Sequence, residues 1–210
     1  MKTIAKNTTI VKKITSGNLK EDYAVGKNAH LTVVYIVSAG GEMVIEPSVH
    51  LVGVGSSATV IGLITGTGNA QVKMSTLQHH KARMTTSNLL VKGILSGHSQ
   101  LSYDGSITVD KSAQKTDAYQ RNENLLLDEH TQATSSPALE ILANDVRCTH
   151  GAVVKTIDEN ELWYLASRGI GKQSSRAMIA EGFLASAFSL ITDEAQRVLV
   201  EQRVNDLQKE

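Results

Sequence analysis

Leu31-Thr32-Val33-Val34-Tyr35-Ile36-Val37 is an unbroken run of apolar and β-branched residues, stopped by Gly40-Gly41. Such a run, bounded by a turn signal, reads as a β-strand. Outward from it the same unit recurs. Residues 43–45, 49–54, 58–64, 71–76, 89–95, 101–103, 107–109, 125–127, 139–142 and 146–148 are each short and rich in Val, Ile, Leu or Thr. The separators carry turn chemistry: Gly66-Thr67-Gly68-Asn69, Ser96-Gly97, Asp104-Gly105 and Arg121-Asn122. Residues 1–26 are weakly patterned, and Ile4, Ile10, Val11 and Ile14 read as an edge strand.

Many short strands with no helical pattern for over a hundred residues leave a sandwich, a barrel or a stacked β-helix. The chain has 210 residues, 16 Gly, two Pro and only 4% aromatic residues. So slim a supply of rings suits a β-helix with small inward side chains better than a sandwich that needs bulky filling. No strict repeat of identical residues occurs, which excludes a hexapeptide-type helix. After Ile157 the period changes to that of an α-helix. Asp158 is a natural N-cap with Glu161 at the capping-box position, and Gly169 is a natural residue to follow a helix end. A second helix is expected over about 174–191, with Ala177, Met178, Ala180, Phe183, Leu184, Ala187 and Phe188 on its apolar face. A third, capped by Thr192, carries Val198, Leu199, Val204 and Leu207. The expected organisation is a β core over 1–157 and a helical domain over 158–210, with more apolar helical surface than a small bundle needs.

Lys plus Arg and Asp plus Glu are both 21, so the formal net charge is zero. That balance argues against a nucleic-acid binder or a membrane-surface protein. No apolar run reaches the length of a membrane span, and the first residues lack the apolar core of a signal peptide, so a cytoplasmic setting is expected. Phosphate-loop, dinucleotide and nucleophile-elbow motifs are absent from the sequence. Glu42, Glu46, Asp104, Asp110 and Asp117 are sparse and unpaired, which weighs against a carbohydrate-cleaving β-helix enzyme. His79-His80 would point to opposite faces of a strand and reads as surface or turn histidine, while His30, His50, His98 and His130 are isolated. One constellation stands out: Asp145-Val146-Arg147-Cys148-Thr149-His150-Gly151. Cys148 and His150, two apart on a strand, share a face. A thiol beside an imidazole suits zinc, iron or an iron–sulfur cluster, or a Cys–His nucleophile pair; the plain alternative is a structural cysteine beside a capping histidine. A single cysteine cannot complete a cage alone.

Residues 113–120 (Ala-Gln-Lys-Thr-Asp-Ala-Tyr-Gln), Asn124-Leu125-Leu126-Leu127, Pro137-Ala138-Leu139-Glu140-Ile141 and 145–152 follow one another in an order that resembles the SufB/SufD family. So do Thr85-Thr86-Ser87, Lys92-Gly93-Ile94-Leu95 and 162–170 (Leu-Trp-Tyr-Leu-Ala-Ser-Arg-Gly-Ile). The likeness spans about 58–188, and the Cys-Thr-His-Gly stretch resembles SufD more than SufB. The resemblance implies a component of SUF iron–sulfur cluster assembly: a non-catalytic scaffold with a right-handed parallel β-helix followed by a small C-terminal α-helical domain. It implies dimerisation through the β-helix, with a SufB-like protein or a second copy. A transient iron–sulfur cluster shared between chains is implied at Cys148 and His150. It further implies docking of a SufC-like ABC ATPase by the C-terminal helices, for which Trp163, Tyr164, Arg168, Gly169, Ile170 and Phe183 are the candidates. Departures from the family pattern are Thr134-Ser135-Ser136 before Pro137, Ala138 after it, Lys172-Gln173-Ser174 opening the second helix, and the absence of an N-terminal helical region found in longer relatives. A structural subunit that has lost the cluster role is the alternative.

Overall fold

The computed structural model describes residues 1–191 and 194–207, with side chains through residue 202. Twelve strands alternate between two sheets: β1 (Lys2–Ile4), β2 (Thr8–Ile14), β3 (Leu19–Val25), β4 (His30–Ala39), β5 (Glu42–Leu51), β6 (Ser57–Gly66), β7 (Gln71–His80), β8 (Thr86–Leu95), β9 (Gln100–Val109), β10 (Thr116–Leu126), β11 (Gln132–Ile141) and β12 (Val146–Thr156). Odd strands form one sheet in the order β1-β3-β5-β7-β9-β11, and even strands the other, β12-β10-β8-β6-β4-β2. Every pairing is parallel. The chain is therefore a two-sided parallel β-helix, as the sequence predicts. Between coils the register advances by 21 residues at Lys2↔Tyr23 and by 32 at Gln100↔Gln132. That drift hides the coil from a search for fixed-period repeats.

The two sheets differ in what they face, and their sequences show it. β5 and β9 bury every second residue, because their outer side meets solvent. β4 is buried without interruption from Leu31 to Val37. Its odd residues enter the core between the sheets, with Tyr23, Ile45, Met74, Leu89 and Tyr103. Its even residues, Val34 and Ile36, join Ile61, Leu63, Leu90 and Ile94 on the outer face, beneath Ala180, Leu184, Ala187, Ile191 and Val200 of the helical segment. A strand covered on both sides carries a continuous apolar run. The coverings are α1 (Glu159–Ser167), α2 (Lys172–Ala185), a 3-10 turn (Phe188–Leu190) and α3 (Glu194–Leu207). Arg176 clamps α2 to the corner after β10, donating to Leu127 O and to Asp128 Oδ1 at 2.8 Å.

Several boundaries differ from expectation. Asp104-Gly105 and Arg121-Asn122 lie inside β9 and β10 rather than at turns. The weakly patterned N-terminus forms three strands, not one. The second helix begins two residues earlier and breaks at Ser186, so Phe188 belongs to the 3-10 turn. Asp158 caps α1 by accepting from Asn160 N at 2.8 Å. The expected Thr192 cap, and the side chains of Val204 and Leu207, lie outside the described residues. Both prolines sit where a missing N–H is tolerated: pairing of β5 with β7 lapses at 46–47, and Pro137 is on β11, at the edge of its sheet.

Two buried titratable groups sit within the β-helix, Glu21 on β3 and His80 on β7. Glu21 accepts from Tyr23 (2.6 Å), Tyr35 (3.2 Å), Lys2 (2.7 Å) and Lys12. Burial pushes its carboxyl up, but the bonds from Lys12, Lys2 and Tyr23 outweigh it and hold it at about 2. His80 is wholly buried, so the reading of His79-His80 as surface histidines fails for it: the core-facing side of β7 takes it. Both its ring nitrogens are satisfied, by Thr85 Oγ1 and Ser87 Oγ at 2.8 Å each. Burial lowers its pKa from 6.5 to about 4. Between those values the unfolded chain binds a proton that the folded chain does not, so this stability is full above pH 6.5 and falls through the window as pH drops. Urea melts at stepped pH are expected to lose up to about 3 kcal/mol from this group, and His80→Gln to flatten the slope between pH 6.5 and 4. An unchanged slope in the variant contradicts the assignment. A second loss, from Glu21, follows as pH falls from 4.5 towards 2.

Candidate functional site

β12 is the terminal strand of its sheet, and among the described residues nothing pairs with its outer edge. Its register fixes which side chains point inward. Cys148 stands opposite Ala118, His150 opposite Gln120, Ala152 opposite Asn122 and Val154 opposite Asn124. All four partners on β10 are buried. In the coils before, the same columns run Leu31, Ala58, Ser87, Ala118 to Cys148, and Val33, Val60, Leu89, Gln120 to His150. Cys148 and His150 thus lie on one face, as the spacing predicts, at core positions of a coil that no further coil covers. His150 is exposed, while Cys148 is half-buried against Ile107, Val109, Ala113, Ala118 and Ala143. Burial raises the thiol pKa, the charge of Asp117 adds to this, and the Ala118 amide opposes it. The thiol is therefore protonated near neutral pH, and a metal taking it as thiolate displaces a proton. Asp117 itself is held by Arg147, whose Nε donates to Oδ1 at 3.1 Å.

Behind this pair the interior turns polar, which the sequence reading missed. Gln78 Nε2 donates to Gln120 Oε1 at 3.4 Å, and Asn124 Nδ2 donates to Asn122 Oδ1 at 2.7 Å. Thr76 Oγ1 and Tyr103 Oη lie 2.9 Å apart. Gly105 makes room: a Cβ there would meet Gln120 Nε2 at 2.2 Å. Gln78 Oε1, Gln120 Nε2 and Ser135 Oγ are buried without a protein partner. Alternation alone could have flagged Gln120, Asn122 and Asn124, since they share the parity of Ala118 and Leu126 in β10.

The helical candidates separate into two groups. Trp163 (73% exposed) and Tyr164 (55%) lie on α1, which has no buried residue. Arg168 caps that helix, its guanidinium 5.4 Å from the Tyr164 ring centre, and Gly169 supplies the positive φ of +80° that ends it. Ile170 is half-buried in the connection to α2. Phe183 turns the other way, toward the coil: Lys92 Nζ lies 4.2 Å and Lys155 Nζ 5.5 Å from its ring centre. β12 links the two regions, presenting Cys148 and His150 on its inner side and Val153 and Lys155 towards α1 and α2 on its outer side.

The remaining candidates resolve into ordinary contacts. His79 Nε2 lies 2.9 Å from Asp110 Oδ1, and His98 stacks on His130 with ring centres 4.8 Å apart. Glu46 faces Lys20 and Asp117 faces Arg147, so no carboxylate pair forms from these acids. Among the described residues, no three His, Cys, Asp or Glu side chains are placed to hold a metal ion within one chain. No helix among them is long and apolar enough to cross a membrane.

Residues 14–183 match the family described as SUF system FeS cluster assembly, SufBD core domain. The match begins well before residue 58, where the motif likeness starts, and so takes in β3 to β5. The chain is 34% identical over 157 residues to the iron–sulfur cluster assembly protein SufD of Escherichia coli (strain K12), covering 75% of this chain and 37% of that one. It is 31% identical over 179 residues to an iron–sulfur cluster assembly SufBD family protein of Mycobacterium leprae, covering 80% and 45%. The chain spans less than half the length of these curated relatives.

Cys148 is the sole cysteine, so its chemistry can be read without ambiguity. Iodoacetamide alkylation of the folded chain, followed by mass spectrometry across pH, is expected to show a midpoint above the ordinary cysteine value of about 8.5. At pH 7 the rate is expected to be several-fold below that of the urea-unfolded chain. A midpoint at or below the ordinary value contradicts the burial assigned to the thiol.

Proposed function

The chain belongs to the SufBD core family of SUF iron–sulfur cluster assembly proteins, and from that premise we propose that it is a non-catalytic scaffold. Residues 1–157 act as the coil that meets a second chain, and residues 158–210 as the docking segment for an ABC-type ATPase. The observation that carries the reading is the placement of Cys148 and His150 in register, on the core side of a terminal strand whose outer edge is unpaired.

The chemistry follows from what one chain lacks. A cluster needs about four ligands, soft thiolate with borderline imidazole among them. One chain offers a thiol and an imidazole, so the cargo is held between chains: this one and a SufB-like partner, or two copies. The edge of β12 leaves its outward backbone groups free to continue the ladder across such an interface. Exposed Leu139, Ile141 and Val154 near that end supply apolar area to bury. The raised thiol pKa makes loading proton-coupled, so the site releases a proton as it takes metal. On the far side, Trp163 and Tyr164 are rings of the type that anchor interfaces, presented by a helix whose own packing does not use them. Arg168, Gly169 and Ile170 set the turn that aims α1, and Phe183 seats α2 against the coil. The working site is the cytoplasm.

The packing of Cys148 in a small apolar cluster favours one alternative, a structural subunit that docks the ATPase without handling clusters. Two measurements separate the readings. Anaerobic reconstitution with ferrous iron and sulfide is expected to leave both elements bound to the full chain, and Cys148→Ala and His150→Ala each to remove at least half. Unchanged content in both variants defeats the cluster role. Co-purification with a SufC-like ABC ATPase is expected to fall at least tenfold in Trp163→Asp, with the melting temperature preserved. Retained capture in Trp163→Asp, Tyr164→Asp and Phe183→Asp alike contradicts docking through these helices.

A further inference from the structure

Between the outer face of the even sheet and helices α1 and α2 lies a cleft of about 790 Å³. It continues into a second hollow of about 380 Å³ through Lys92, Arg121, Glu123 and Ser186, which line both. This cleft is apart from the Cys148/His150 end of β12, and the assembly role makes no use of its charges. We infer that it is a binding site for a small planar organic anion.

The outer column of the sheet runs Ile36, Leu63, Lys92, Glu123, Val153. It is apolar at Ile36 and Leu63, carries the Lys92–Glu123 pair in the cleft, and ends on Val153 in the cleft wall. Lys92 is 4% exposed at its side chain and is paired with Glu123 Oε2, while Arg121 Nε takes Glu123 Oε1. Apolar residues of similar size would hold the sheet at least as well as a buried ionic cluster. Charges kept at the floor of a cleft mark a candidate site. Two cations share one carboxylate there. Lys155 adds a third positive charge from β12, and its described contact is the Phe183 ring, 5.5 Å away. Glu161 on the α1 rim returns one negative charge, so the lining carries a net positive charge. Phe183 and Tyr164 supply flat apolar surface beside these cations. In the second hollow, Asn88 Oδ1 is a buried acceptor with no protein partner, suited to an N–H or O–H at the far end of the ligand. The volume lies in the range of small-molecule sites, and the mixture fits an acid group on Lys155 and Arg121 with a flat body along Phe183 and Tyr164.

The probe for this is 1-anilinonaphthalene-8-sulfonate, an aryl sulfonate with a flat naphthalene body, titrated into the full chain with fluorescence detection. Saturable binding at one site per chain is expected. Lys155→Glu is expected to weaken it at least tenfold with an unchanged melting temperature, and Glu161→Lys to tighten it at least threefold. The uncharged analogue N-phenyl-1-naphthylamine is expected to bind at least tenfold more weakly. Cys148→Ala is expected to change nothing, which keeps this test separate from the cluster test. Absence of saturable binding, equal affinity for the uncharged analogue, or indifference to both charge substitutions overturns the proposal.

Discussion

In-register parallel stacking places each core side chain of the β-helix against its counterparts in the coils before and after. Everything distinctive about this chain follows from where that stacking stops. Within the coil, Leu31, Ala58, Ser87 and Ala118 cover one another in a single column, and the column closes on Cys148. The neighbouring column closes on His150. Residues at column positions buried in the inner coils are, on β12, half-exposed or exposed. The interior prepares for this end: apolar Val33, Val60 and Leu89 give way to Gln120 in the His150 column. A site at the end of a coil is also incomplete, because half the surroundings that stacking would supply are missing. A single cysteine per chain says the same in chemical terms. The uncovered end of the coil and the short ligand set thus meet on β12, and on these two grounds a second chain is proposed.

The same constraint governs the other face of the even sheet. α2, the 3-10 turn and α3 pack on Val34, Ile36, Ile61, Leu63, Leu90, Ile94 and Leu125, while Lys92, Arg121, Glu123 and Lys155 line the charged cleft between the sheet and α1 and α2. β12 therefore has two working sides. Its inward parity carries the thiol and imidazole, and its outward parity reaches the helices. α1 follows β12 directly, so a partner engaging Trp163 and Tyr164, as proposed, would act next to the strand that bears Cys148.

Much of this was legible in the sequence, for reasons that can be located. The run Leu31–Val37 announced a strand, and the helical period after Ile157, with Asp158 and Gly169 as its punctuation, announced the change of architecture. Cys148 and His150 on one face needed only the strand period of two. Of the predicted apolar face of the second helix, Ala180, Phe183, Leu184, Ala187 and Phe188 pack against the sheet, while Ala177 and Met178 are exposed, and α1 leaves Trp163 and Tyr164 exposed. What escaped did so because it depends on neighbours far away in sequence. Asp104-Gly105 and Arg121-Asn122 have turn composition, yet sheet pairing on both sides overrides it and holds them extended. His80 looked like a solvated histidine beside His79, and only the hydroxyls of Thr85 and Ser87 make its burial tolerable. The drift of the coil register, from 21 to 32 residues, removes the fixed period that would have exposed the repeat.

The central claim is that Cys148 and His150 act together on iron and sulfur at the end of the coil. X-ray absorption at the iron edge, recorded on the anaerobically loaded full chain, addresses it most directly. The account predicts an inner shell of mixed sulfur and nitrogen ligands, with the nitrogen contribution lost in His150→Ala and the sulfur contribution reduced in Cys148→Ala. Spectra that are identical in the parent chain and both variants would contradict it.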